Sequence, residues 1–564
     1  MMGKLADYQK RIFEILFIIV VSSIFMIPYL GNDIYVGAGH DLTYHLNRLI
    51  GLKDAIMEGQ ILPKIYPYAN NGFGYASPLF YCDVFLIPFA FLEILGISTV
   101  ISYKVMCFAI TMFTAVSVLF ICRKVFHRKY LPYIAVIAYI FNGYYICDFY
   151  ARSALGEVMA LSFVPWVLYS IYKILVLKEN CWVMLGVSFA CLFMSHMISA
   201  YVYVLLFAIF IVIYLIFDRQ EYKHVIITII KGTITGLLLS AWFILPMFEQ
   251  LINQEFYLNH VSEHFIIGNT AQNIADLLNP LMHIDVNGRN ILNVISVGPL
   301  VILFPLLYFF VRKNVIVNVL LIVSVVSLMM ITGIIPIPFF LNILQFAFRL
   351  NIVILPLMLI VIIYILENLD IRKSNIIAIV ILCFTIFNVS NQFGDVLNSG
   401  TYYLNNQSTK NDINNITSYL YELDYNHDEL GGAEYLPYTF NTDYINDSLE
   451  ILTTNENGEF VSSGIKYDRN YSSITFDYDG DRIDAILPMS YYKGYRAYKI
   501  LDGIREDYSL YNMEVFKKIG LDLEGPGTYE IKYVGTKVQK ISLLLSVSAL
   551  IGLVVVKYPR RENA

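Results

Sequence analysis

The residues most able to do chemistry together lie in Gly39-His40-Asp41-Leu42-Thr43-Tyr44-His45-Leu46-Asn47-Arg48. If 41–48 is helical, Asp41, His45 and Arg48 stand at i, i+4 and i+7, on one face. That face carries a carboxylate, an imidazole and a guanidinium, just beyond the apolar run Arg11 to Leu30. A carboxylate there can accept a proton from a hydroxyl, and an arginine can grip a phosphate. The same spacing also suits an interfacial helix whose polar face is solvated.

Other candidates lie on the same expected side. Asp148 and Glu157 bound a polar stretch that also holds Arg152. Glu157 opens an apolar segment, where a carboxylate suits the helix dipole. The alternatives are a solvated loop for Asp148 and a structural ion pair for Arg152 and Glu157. Arg349 follows two phenylalanines and opens a long apolar run, as a phosphate ligand or a snorkelling anchor would. His196 sits at a turn, and Glu249 follows Trp242 to Phe248. His260, Glu263, His264, His283 and Asp285 match no strong metal-ligand spacing, so no metal site is expected there. The chain has no P-loop, GxGxxG, GxSxG or CxxC motif. Together with short cytoplasmic loops, this argues against an ATP-driven pump.

These residues must be positioned by membrane helices. The chain has 564 residues, 57% hydrophobic and only 15% charged, with mean hydropathy +0.60. Repeated apolar stretches of about 20 residues indicate a polytopic α-helical membrane protein. Basic residues form short clusters between those stretches, so no nucleic-acid partner is expected. Lys4, Lys10 and Arg11 precede a long apolar run without an A-x-A site, which predicts a retained first span. The seven cysteines lie in or beside apolar segments, so no disulfide framework holds the polar C-terminal part.

Apolar runs and Lys/Arg placement predict about twelve spans, with both termini cytoplasmic. They lie near 11–30, 100–122, 131–147, 157–177, 181–197, 199–217, 225–247, 291–311, 315–333, 349–366, 375–391 and 541–557. Counting 79–97 as a span would place Arg123 to Lys129 outside. That segment also carries Asp83, Pro88 and Glu93, so it is expected to be interfacial or re-entrant. The expected organisation is a transmembrane domain over 1–391 with outer loops 31–99 and 248–290. An extracytoplasmic mixed or β-rich domain follows over 392–536, then a final helix and basic cytoplasmic tail over 537–564. The β expectation rests on alternating runs such as Ser473 to Tyr478 and Thr528 to Val534.

Taken together, the motifs resemble the GT-C superfamily of membrane glycosyltransferases, and within it bacterial YfhO-type proteins. The motifs are Gly39-His40-Asp41, Ser77-Pro78-Leu79-Phe80, Phe91-Leu92-Glu93-Ile94-Leu95-Gly96 and Arg152-Ser153-Ala154-Leu155-Gly156-Glu157. Gln345-Phe346-Ala347-Phe348-Arg349 and Leu487-Pro488-Met489-Ser490-Tyr491-Tyr492-Lys493-Gly494-Tyr495-Arg496-Ala497 complete the series.

The resemblance implies transfer of a sugar from a polyprenyl-phosphate donor to a cell-envelope acceptor, such as a teichoic acid or another surface glycopolymer. Transfer would occur on the outer face of a bacterial plasma membrane. Asp41 would be the general base, with Asp148 or Glu157 the second acidic residue. His40, His45, Arg48, Arg152, His196 and Arg349 would bind substrate. No cofactor is certain, and because metal assistance varies across the superfamily a divalent metal stays open. The alternatives are a transporter or flippase for lipid-linked saccharides, and a non-catalytic scaffold.

Overall fold

The computed structural model describes residues 2–35, 41–70, 72–264, 267–279, 295–398, 403–413, 434–438, 449–514 and 516–557. It is mostly helical with a β-rich C-terminal region, and its contacts divide the chain into two compact units. Each of the twelve expected segments carries a helix. Among the described residues, seven helices are long and apolar enough to cross a membrane, or eight if the bent pair Leu131–Ile140 and Gly143–Ala151 counts as one span. Trp182–Ser195, Gly298–Phe310 and Val315–Ile331 are shorter apolar helices. The segment near 79–97 forms only the eight-residue helix Ile87–Ile94 beyond residue 80. At 1.5 Å per residue this reaches about 12 Å, short of a hydrocarbon core about 30 Å thick.

The first unit comprises Met1–Leu46, Leu95–Leu237 and Ser262–Glu429. Its innermost span is Ala347–Asn368, whose most apolar window is 83% buried, against 33% for Met197–Phe217. A helix apolar all round can be enclosed by other helices, whereas its peripheral partners turn one face to lipid. Because lipid tails are as apolar as leucine, helices here associate through small and hydroxyl side chains. Thr114 Oγ1 lies 2.6 Å from Ser162 Oγ and 3.1 Å from Tyr145 Oη. Trp166 Nε1 donates to Ser117 Oγ at 2.8 Å. These bonds join Thr99–Val125 to the helix Leu155–Leu175 and to the bent segment. A short antiparallel pairing of Asp33–Tyr35 with Tyr403–Asn405 is held at its end by Lys104, which donates to Gly31 O and Asn406 Oδ1.

The second unit comprises Asn47–Ile94, Leu238–Val261 and Leu430–Ala564. It contains two five-stranded antiparallel sheets. One runs Tyr511–Met513, Lys518–Leu523, Ile483–Ser490, Leu452–Thr454, Phe460–Ser462. The other runs Asp468–Arg469, Ser473–Tyr478, Gly527–Tyr533, Tyr495–Leu501, Ile504–Tyr508. The two runs whose alternation is legible in sequence are neighbours, with Ile474 opposite Ile531 and Phe476 opposite Tyr529. All four side chains are buried, as a period of two requires when one face is covered. The last helix, Lys537–Lys557, is tied to its neighbour through Ser546, which donates to Leu238 O and accepts from the Trp242 amide. Glu249 accepts from Thr536 Oγ1, and Gln250 pairs with the Lys493 backbone.

Arg48 also belongs to this unit, and its guanidinium is committed. Arg48 Nε donates to Asp83 Oδ1 at 2.8 Å and Nη2 to Cys82 O at 3.0 Å. The Tyr81 ring lies beneath it, 4.2 Å away. Asp83 Oδ2 accepts from Tyr66 Oη at 2.5 Å. Both charged residues are over 90% buried. Removing one partner leaves the other charge buried and uncompensated. Asp83→Asn is therefore expected to cost about 3–5 kcal/mol, seen as a lowered unfolding temperature in detergent. Arg48→Met combined with Asp83→Leu should recover most of that loss.

Candidate functional site

The charged residues of the first unit converge on the end of the bent segment. Asn142 caps its second half, accepting from the Tyr144 amide at 3.0 Å, and donates to Val297 O. The backbone then widens into a π-turn over Cys147–Ala151. Such turns recur at functional sites because they re-aim side chains within a helix. The turn closes with Arg152 N bonded to Cys147 O and Ala154 N to Asp148 O, with Ser153 at φ +52°. Leu155–Leu175 begins at once, with Glu157 in its first turn.

Asp148 and Glu157 therefore project from two adjoining helical ends toward Arg152. Arg152 Nη1 bonds to Asp148 Oδ1, and Arg152 approaches both oxygens of Glu157 at 3.1 Å. Arg349 Nε reaches Glu157 Oε1 at 2.7 Å. Tyr144 Oη donates to Glu157 Oε2 at 2.7 Å. The carboxylates are almost fully buried, while the two arginine side chains retain 11% and 12% exposure. Two guanidiniums and two carboxylates balance to zero formal charge, the condition under which buried ions are tolerated.

Gln345-Phe346-Ala347-Phe348-Arg349 supplies the aromatic bed. Phe348 is fully buried beneath Arg152, 4.8 Å from its guanidinium carbon, and Phe346 lies 5.3 Å from that of Arg349. The two rings stack at 5.2 Å. Gln345, at φ +64°, turns back to accept from Arg349 Nη1, which also donates to Leu344 O. The Ala347 amide is anchored to Thr270 Oγ1. Arg349 Nη2 makes no hydrogen bond to any described residue. Two of its five N–H donors thus meet no acceptor among the described residues.

Asp41 is exposed, at the turn that begins the helix Leu42–Met57. Its amide donates to Arg152 O at 3.1 Å, and its own carbonyl accepts from His45 N. One backbone bond thus sets the backbone of Asp41 beside the motif Arg152 to Glu157. His45 is fully buried. Arg48 is engaged by Asp83, as described above. His40 lies outside the described residues. So do His283 and Asp285, and nothing is described of the side chains of Glu263 and His264.

His196 caps Met197–Phe217 through Nδ1, which accepts from Ser199 N and lies 2.7 Å from Ser199 Oγ. Burial pushes its imidazole down to about 4, with Glu157 pulling the other way and Arg349 and Arg152 adding to the depression. It therefore stands within electrostatic reach of the cluster and is neutral at physiological pH. Among the described residues, no three His, Cys, Asp or Glu side chains gather as a metal site. The cluster carboxylates are bound to arginine, so the donors present do not make one.

Sequence reasoning missed Tyr144, Asp83 and the role of Gln345. Tyr144 gives no periodic signal, whereas Asp83 inside an apolar run and Gln345 inside the aromatic-Arg motif were visible anomalies.

His196 gives a test with a definite sign. Its folded pKa lies below the ordinary 6.5, so between about pH 4 and 6.5 the unfolded chain binds more protons. Stability from this group is full above pH 6.5 and falls as pH drops through the window. His196→Asn keeps an acceptor at the cap but cannot titrate. Its unfolding temperature should fall less between pH 7 and pH 4.5 than that of the parent, measured by thermal unfolding in detergent.

A family model described as 6-pyruvoyl-tetrahydropterin synthase related domain, membrane protein, matches residues 77–396. A curated protein of Lactococcus lactis subsp. cremoris (strain MG1363), described as uncharacterized, is 24% identical over 259 residues. That alignment covers 44% of this chain and 41% of the relative, so the chain spans less than half of the relative's length. Among solved structures, the mycobacterial arabinofuranosyltransferase AftD is similar with TM-score 0.40 and 14% identity. The match covers 73% of this chain and 29% of that one, a likeness too loose to place individual residues.

Proposed function

The chain belongs to the family of membrane proteins described as 6-pyruvoyl-tetrahydropterin synthase related, and within it we propose that this protein is a membrane glycosyltransferase of GT-C type. It moves a sugar from a polyprenyl-phosphate carrier to a hydroxyl of a cell-envelope glycopolymer, such as a teichoic acid. Transfer takes place at the outer face of a bacterial plasma membrane, with both chain termini cytoplasmic and the β-rich region outside. The observation that carries this reading is the bond between the Asp41 amide and the Arg152 carbonyl. It sets the backbone of Asp41, an exposed acidic residue, next to an arginine-rich, largely buried cluster, which supports the pairing that base-assisted displacement of a phosphate requires.

In this mechanism an Asp41 carboxylate oxygen takes the proton of the acceptor hydroxyl. The acceptor oxygen forms its bond to the anomeric carbon from the side opposite the lipid. The bond from that carbon to the phosphate oxygen breaks, and the lipid phosphate leaves with the electron pair, inverting the anomeric centre. Arg349 Nη2 donates to the departing phosphate, as charge-assisted bonds to arginine can, and Arg152 adds a second positive charge. Asp148, Glu157 and Tyr144 act as positioning residues, holding the guanidiniums in place. His196 contributes a neutral imidazole. Arg48, paired with Asp83, supports the fold.

The test compares a deletion strain with one expressing Asp41→Asn, reading sugar on envelope polymers by mass spectrometry. Asp41→Asn is expected to lower the transferred sugar at least about 100-fold, in the range for loss of a general base, matching the deletion. If the deletion loses the sugar while Asp41→Asn retains it in full, transport or scaffolding is the better account.

A further inference from the structure

The segment that delivers Arg349 bends at a residue ill suited to the bend. A 3-10 helix, Phe339–Leu344, ends there, and another, Ala347–Leu350, follows. Between them the Phe346 amide donates to Leu344 O at 2.7 Å. An amide bonded to the carbonyl two residues back closes a γ-turn. Gln345, its central residue, sits at φ +64° and ψ −45°, near the values of about +75° and −65° that mark the rare and strained form of this turn. Glycine takes a positive φ without a Cβ penalty. A long side chain stands here instead, so the surroundings must maintain the strain.

Two backbone anchors do so. The Gln345 amide donates to Asn342 O at 3.0 Å, and the Ala347 amide to Thr270 Oγ1 at 2.8 Å. The turn in turn presents two acceptors to Arg349. Leu344 O, which closes the turn, also accepts from Arg349 Nη1 at 3.0 Å. The Gln345 side-chain oxygen accepts from the same nitrogen. Nη1 carries two hydrogens, so the backbone of the turn and its central side chain engage it fully. Nε is taken by Glu157 Oε1, and the Phe346 ring lies 5.3 Å from the guanidinium carbon. A guanidinium is planar, with its five N–H directions fixed relative to one another. Three acceptors around it therefore set its plane, and Nη2 is the nitrogen that meets no acceptor among the described residues.

The residue type separates two explanations of the strain. If the bend alone mattered, glycine would make it more easily and nothing would be lost. A glycine or an alanine at 345 supplies no side-chain acceptor, and alanine keeps the strain as well. Glutamine keeps the strain and adds the one contact that neither of them offers. The disfavoured backbone is thus tied to Arg349 rather than to chain reversal as such.

We propose that Gln345 is the positioning residue of Arg349: its strained γ-turn and its side-chain oxygen preset the guanidinium, and through it the grip on the lipid phosphate. The grip rests on the transferase reading, whereas the hold of Gln345 on Arg349 does not.

The test compares the full-length parent in detergent with Gln345→Gly and Gln345→Ala by three measurements. Thermal unfolding reads the strain. Alanine is disfavoured at positive φ, so Gln345→Gly should unfold at a higher temperature than Gln345→Ala, the reverse of the usual order. Phenylglyoxal labelling of Arg349, followed by peptide mass spectrometry, reads the hold without any ligand. Both variants should label several-fold faster than the parent. Native mass spectrometry with undecaprenyl phosphate reads the grip, and both variants should bind about tenfold more weakly, equivalent to about 1.4 kcal/mol. The assignment is overturned if Arg349 labels at the parental rate in the variants. It is also overturned if glycine at 345 is no more stable than alanine, or if the parent binds the lipid and both variants bind it equally well. If the parent takes up no undecaprenyl phosphate while unfolding and labelling respond as stated, the phosphate reading of Arg349 fails and its positioning by Gln345 stands.

Discussion

Two guanidiniums and two carboxylates lie together where little water reaches, and none of the four is tolerable there alone. An ion moved from water into a low-dielectric interior loses several kcal/mol of solvation. Arg152, Arg349, Asp148 and Glu157 offset that loss mutually, through a net charge of zero and direct N–H to carboxylate bonds. The local backbone follows from this constraint. The π-turn brings Asp148 and Arg152 together, the abrupt restart of the helix at Leu155 supplies Glu157, and the turn at Gln345 sets Arg349 against Glu157. Single hydrophobic substitutions at these positions would strand a charge, whereas packing elsewhere in the unit tolerates exchange among apolar residues of similar volume.

The cluster also explains why the site is asymmetric. Glu157 receives both arginines and Tyr144, so its oxygens are occupied. Asp148 is wholly buried behind Arg152. In the proposed mechanism neither takes a proton from a substrate. Asp41 is exposed, its amide bonded to the Arg152 carbonyl, and Arg349 Nη2 meets no acceptor among the described residues. In the proposed mechanism base and phosphate grip are separate parts, and the buried acids hold the grip in place. Asp148 and Glu157 both act as positioning residues in that mechanism.

Much of the fold was legible because the relevant signals are local. Apolar runs located helices, and the alternation in Ser473 to Tyr478 and Thr528 to Val534 marked two strands that pair. The Gln345 to Arg349 motif pointed to a residue that joins the cluster. What was not legible depends on tertiary placement. The stretch from Asp148 read as a loop because polar residues interrupt its periodicity. It is a buried π-turn in which Asp148 pairs with Arg152 four residues on, and Arg349, distant in sequence, joins through Glu157. Arg48 fell on the same expected helical face as Asp41. Its commitment to Asp83, 35 residues away, has no trace in local spacing. Among the described residues seven helices, or eight with the bent pair, are long and apolar enough to cross a membrane, where about twelve spans are expected from the sequence. Apolar runs such as Trp182–Ser195 form shorter apolar helices.

The central claim is that the buried carboxylates hold Arg349 ready for a lipid phosphate. It is tested most directly by native mass spectrometry of the purified protein with undecaprenyl phosphate, comparing the parent with Arg349→Gln. The account predicts a bound lipid phosphate on the parent, and an affinity at least about tenfold weaker in the variant, in keeping with the loss of a charge-assisted contact. Equal binding by the two proteins would contradict it and leave the four-residue cluster with a structural role alone.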